Sequence, residues 1–178
     1  MFKCQGILTL LGAVLLLSLS SSHVAGQDTK PAKKVSGVLI SKTNDSITVH
    51  VDKEEEPAKY TIDEKNKKQA AALKTVYDGG RVQLTYKTEG DDRHLVMIKR
   101  QVLQQSGTLT GTVVKVHNDF WVEVKLKSGL YEGFAPNVRN NKDKAFMDRL
   151  KALQAGDSVT VQFTTDSERH RIVAFKKK

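Results

Sequence analysis

Cysteine is nearly absent from this chain of 178 residues: Cys4 is the only one, and it precedes an apolar run near the start. That excludes a disulfide framework and a cysteine nucleophile in the body of the chain. Aromatic residues make up 6%, with one tryptophan, Trp121, and there are three prolines. No apolar run reaches the roughly 20 residues of a comfortable membrane span. Also missing are G-x-S-x-G, S-x-x-K, H-E-x-x-H and a glycine-rich phosphate loop. No catalytic residue, metal ligand or cofactor is therefore assigned, and the chain reads as a non-enzyme.

What is present begins with an export signal. Lys3 precedes the apolar run Ile7 to Leu19, Ser20 to Ser22 break it, and Val24-Ala25-Gly26 supplies small residues for cleavage. Residues 1–26 are thus expected to be a signal peptide, with an uncleaved anchor as the alternative. The protein is then secreted or periplasmic, with no stable membrane span after processing. The full chain carries a net charge of +9; without Lys3 it has 28 basic against 20 acidic residues, net +8. Residues 27–34, lysine-rich with one proline, read as a flexible leader.

The rest is a repeated plan. Gly37 and Asn44-Asp45 recur as Gly111 and Asn118-Asp119, both 74 positions on. Later landmarks recur at an offset of 77: Val82, Leu84 and Tyr86 against Val159, Val161 and Phe163, and Leu73 against Leu150. Each half alternates as three strands, one amphipathic helix (63–77 and 142–154), then two strands. Asp63 is expected to cap the first helix, and Gly79-Gly80 to end it. That order is the order of an OB-fold, and a glycine in each first strand suits its sharp bend. The expected fold is mainly β: two tandem five-stranded OB-like barrels over 35–103 and 104–178, each with its helix between strands three and four. A small barrel of the SH3 type is the rival.

Four histidines remain beyond the signal: His50, His94, His117 and His170. They are scattered without metal-ligand spacing, and His94 and His170 fall at near-equivalent edges beside Arg93 and Arg171, which suits a turn role. The acidic turn 89–92 lacks the spacing of a calcium loop. Asn44-Asp45-Ser46 matches a glycosylation acceptor, yet the same residues suit a tight hairpin. A sharper pattern lies at 120–127. If Phe120, Val122, Val124 and Leu126 point inward, Trp121, Glu123, Lys125 and Lys127 point outward. The expected ligand face is Trp121 with Lys125 and Lys127, extended by Tyr131, Phe134 and Arg139.

The stretch GTVVKVHNDFWVEVKLKSGLYEGFAPN resembles the RNA-binding OB domains of the largest small-subunit ribosomal protein. The shared features are G-x-V in strand one, an aromatic-rich strand two and G-x-x-x-G-aromatic before a loop. The resemblance implies RNA contact by Phe120 or Trp121 and by Phe134. It covers one strand trio; Trp121 stands where that family has a glycine, and the first half keeps none of the aromatics. Lysine and arginine clusters at 30–34, 65–68, 99–100, 169–171 and 176–178 add a weak attraction to polyanions, whether glycans, anionic lipid heads or nucleic acid. The function expected is an exported binding or structural module, possibilities for the ligand being polyanionic or glycan; the alternative is a nucleic-acid-binding OB protein.

Overall fold

A computed structural model describes residues 31–63, 65–102, 104–118, 121–166 and 169–178. The expected signal peptide, Cys4 and Phe120 lie outside the described residues. The chain is mainly β, as its alternation requires. The first half runs β1 (Lys33–Lys42), β2 (Ser46–Val51), β3 (Ala58–Thr61), α1 (Lys67–Leu73), β4 (Arg81–Glu89) and β5 (Asp92–Arg100). The second runs β6 (Ser106–Val116), β7 (Val122–Leu126), β8 (Tyr131–Pro136), α2 (Lys144–Lys151), β9 (Ser158–Thr165) and β10 (His170–Lys177). Lys33 and Lys34 pair with Tyr86 and Thr85 of β4, so the expected leader already contains strand.

The strands pair as β1-β2-β3-β5-β4, with β1 closing back onto β4. In the second sheet β6 pairs both β7 and β9, and β10 joins β8 to β9. The β3–β5 and β8–β10 contacts are parallel and the others antiparallel. Each long first strand pairs on two sides, and its glycine sits where both partners meet it. Gly37 faces Val51 and Val82; Gly111 faces Leu126 and Val159. A Cβ on Gly37 would come within 2.1 Å of the His50 carbonyl oxygen, so no side chain fits. The register slips two residues later in each case, at Leu39/Ser41 and at Val113/Lys115, which bends the strand.

The helices are shorter than their apolar spacing predicts. Asn66, not Asp63, caps α1: its Oδ1 accepts from the backbone N–H groups of Lys68 and Gln69. Asp63 Oδ1 is taken by Lys65 N–H at 3.0 Å in the turn before it. At the other end Lys42 Nζ donates to the carbonyls of Leu73 and Val76, at 2.8 and 2.6 Å. Leu150 of α2 is fully buried, whereas Leu73 is only partly so, which corrects their expected equivalence. In α1 the buried residue is Gln69, whose amide donates to the Leu95 carbonyl at 2.6 Å.

Three apolar clusters result. Leu39, Ile47, Val49, Tyr60 and Leu84 centre the first sheet; Val122, Val124, Phe134, Leu150 and Phe163 centre the second. The third joins Val38 of β1 to Trp121, Tyr131 and Ala135, with Ile40 and Val114 at its margin. It lies between the sheets and fastens one to the other.

Candidate functional site

The expected ligand face does exist as a face, but it is covered. Alternation is as read: Val122 and Val124 enter the second core, and Trp121, Glu123 and Lys125 lie on the opposite side. That opposite side packs against β1 of the first sheet. Trp121 is 1% exposed and Tyr131 1%, so neither offers a ring to a ligand. Phe134 was expected to extend the platform; it points inward instead, edge-on to Phe163 with centroids 5.4 Å apart. The RNA contacts implied for Trp121 and Phe134 are corrected on the same ground. Lys125 is half-buried, Lys127 and Arg139 are exposed, and Arg139 stands in the turn after β8.

Two imidazoles occupy the ring faces where a ligand was expected. His50 of β2 stacks on Tyr131 at 3.7 Å and 23°. His117, in the turn after β6, stacks on Trp121 at 3.8 Å and 3°. Between them lies Glu123, 2% exposed. Its Oε1 is 2.5 Å from His50 Nδ1 and its Oε2 is 3.1 Å from His117 Nε2. His50 Nε2 donates to the Glu55 carbonyl at 3.1 Å. A carbonyl only accepts, so that nitrogen carries its hydrogen. With that hydrogen on Nε2, the close contact of Nδ1 with Glu123 Oε1 requires a second hydrogen between them, so the two buried groups share a proton, the condition under which their burial is tolerated.

A second ionic group lies beside it. Arg81 of β4 pairs with Asp52, Nη1 to Oδ1 at 3.0 Å and Nη2 to Oδ2, and Nη1 also donates to the Tyr131 carbonyl at 2.6 Å. Asp52 Oδ1 accepts from Tyr131 N–H at 3.1 Å, and the Tyr131 hydroxyl donates to the Glu54 carbonyl at 2.7 Å. Buried Glu132 lies 3.8 Å from Arg81 Nε and 3.3 Å from His170 Nε2, an ionic contact without hydrogen-bond alignment. His94, by contrast, is half-exposed and bonds Thr61 at 2.9 Å. The backbones also meet: a Cβ on Gly133 would come within 2.1 Å of the Gly79 carbonyl oxygen, and one on Gly79 within 2.8 Å of Trp121. Gly79 has φ +76°, the left-handed region that glycine adopts without strain.

His50, Asp52, Arg81, Glu123 and Glu132 were missed as a group. Each looks like an ordinary outward polar residue on an alternating strand. Only the pairing of two distant faces, 73 residues apart for His50 and Glu123, brings them together. Among the described residues no group of three His, Cys, Asp or Glu could hold a metal ion. The groove of about 510 Å³ between the β1–β2 turn and α1 has Lys42 on its wall. That lysine is already engaged with the carbonyls that end α1.

No family model matches the chain, and no curated protein matches it in sequence. Among solved structures it is similar to a tetrameric p202 HIN2, at 12% identity over 84% of this chain and 93% of that one. The TM-score is 0.26, too low to carry an inference about this chain.

Proposed function

We propose that this is an exported, non-catalytic binding or structural protein made of two OB-like barrels in tandem, and that it holds polyanionic, glycan-type ligands by charge. The matched strand orders, glycines and strand-one bulges support reading the halves as copies of one unit. One observation carries the functional reading: the rings of Trp121 and Tyr131 are sealed between the barrels under His50 and His117. An OB-fold that reads single strands stacks bases on that face. Here it serves to join the barrels, and lysines are left outside with an overall charge of +9.

The test is a titration of the chain released from residues 1–26 with a sulfated oligosaccharide and, separately, with oligothymidylate at physiological salt. Saturable binding of the sulfated sugar without change in Trp121 fluorescence supports the reading. A fluorescence response to the oligonucleotide means that the barrels part to offer Trp121, and the nucleic-acid reading replaces it. Export is checked by whether the N-terminus of protein recovered outside the cytoplasm falls near Gln27.

A further inference from the structure

We infer that the cleft where β6, β7 and β9 meet is a binding site for a tetrahedral oxyanion, a sulfate or phosphate group carried on an acidic glycan. This rests on the polyanion reading and names where on the second barrel it acts. The cleft holds about 150 Å³ and is walled by Thr110, Thr112 and Ser158 with Lys125 and Lys127. That is room enough for one oxyanion group.

The register explains why these side chains converge. Thr112 faces Lys125 across the β6–β7 pair and Ser158 across the β6–β9 pair, so the three residues stand side by side on one face of the sheet. Thr110 lies two residues along on the same face, its hydroxyl 3.0 Å from that of Thr160. Lys127 follows two residues after Lys125, at the start of the turn after β7. Hydroxyls that can donate, beside two ammonium groups, offer more donors than a carboxylate can use.

The charge at this place is not neutralised. Among the described residues neither Lys125 nor Lys127 has a carboxylate partner; the Lys125 ammonium lies 5.5 Å from the Tyr131 ring centroid. Asp157, next to Ser158, is occupied by Lys177 Nζ at 2.7 Å, which holds its carboxyl below the ordinary 3.8. Asp52 is occupied by Arg81.

A third lysine, Lys53, reaches the turn between β7 and β8 from the first half of the chain. Lys53 has φ +67°, the left-handed region that glycine or asparagine normally fills. Its N–H donates to the Gly129 carbonyl at 3.0 Å, and its Cγ lies 3.5 Å from where a Gly129 Cβ would stand. The stem therefore runs along the β7–β8 turn, which Lys127 opens.

The experiment uses the chain from Gln27 onward. Amide NMR is recorded during titration with inorganic sulfate, and affinity for a sulfated tetrasaccharide is measured at physiological salt. Two double variants are compared, Lys125→Ala/Lys127→Ala and Lys67→Ala/Lys68→Ala, which remove equal charge from different places. The expected result is saturable sulfate shifts at Gly111, Thr112 and Ser158, with sugar affinity about fivefold or more weaker in the first variant. The second variant changes it less than twofold. Lys53→Gly, which also relieves the φ strain, should weaken sugar binding while leaving the unfolding midpoint unchanged or raised. Equal losses in both double variants overturn the cleft and leave the polyanion reading standing. Saturable shifts at the cleft without sugar binding keep the cleft and overturn the polymer. Shifts spread over all lysines without saturation mean an adventitious ion only, and overturn the inference.

Discussion

His50 of the first sheet lies flat on Tyr131 of the second, centroids 3.7 Å apart, while its Nδ1 meets Glu123 at 2.5 Å. One side chain thus contributes a ring to the apolar seam and a donor to the buried carboxylate. The pair makes the contact between the sheets specific in position, since stacking and hydrogen bonding are satisfied together at one register only.

Glu123 is held by histidines from both halves of the chain. Glu123→Ala leaves buried His50 and half-buried His117 without their partner and should destabilise the chain by about 3–5 kcal/mol. Urea unfolding measures it. In a double-mutant cycle with His50→Phe, the two losses should be strongly non-additive. Additive losses would show that the contact contributes little.

Trp121 should behave as a core residue. Trp121→Ala is expected to cost about 3–5 kcal/mol. Provided the variant stays folded, sugar affinity should match that of the parent. An unchanged unfolding midpoint together with weakened ligand binding would restore Trp121 to the ligand face.

Gly133 tests the closeness of the seam. A methyl there would meet the Gly79 carbonyl oxygen at 2.1 Å, and backbone cannot give way as a side chain tip can. Gly133→Ala should cost at least about 1–3 kcal/mol and loosen the two sheets from each other. Small-angle scattering of the variant should show a longer maximum dimension. The same envelope as the parent would mean that the strain is absorbed within one sheet.

The two helices should respond unequally. Leu150→Ala opens a cavity in the second core and should cost about 2–5 kcal/mol, with Leu73→Ala costing less because Leu73 is only partly enclosed. Equal shifts in the urea midpoint would mean that α1 is buried as deeply as α2.

Asp45 links the β1–β2 turn to pH. The Thr43 hydroxyl donates to it at 2.5 Å and the Ser46 hydroxyl at 3.2 Å, and these bonds hold its carboxyl below the ordinary 3.8. A depressed value in the folded state means that the contribution is complete above the unfolded value. It is lost as pH falls through the folded one. The stability difference between the parent and Asp45→Asn should therefore be present at pH 7 and shrink at pH 2. A difference constant with pH would assign it to the turn's geometry and not to charge.

The sequence by itself determined the strands, because alternation of Val, Ile and Leu with polar residues admits only one way to face a core. It also determined the glycines at 37 and 111, where a first strand must pair on both sides. Helix extent was less legible: apolar spacing marks a face, but the cap decides the start, and Asn66 won over Asp63 through two backbone donors. Only the tertiary structure decided what covers the outer face of β7 and β8. Period-two alternation separates two faces of a strand but does not say which is wet, and Trp121, Glu123 and Tyr131 face away from their own core only to be buried by another. Glu123 looked like a solvent residue because its partner His50 stands 73 positions earlier, and burial of a charge becomes tolerable only once such a partner arrives.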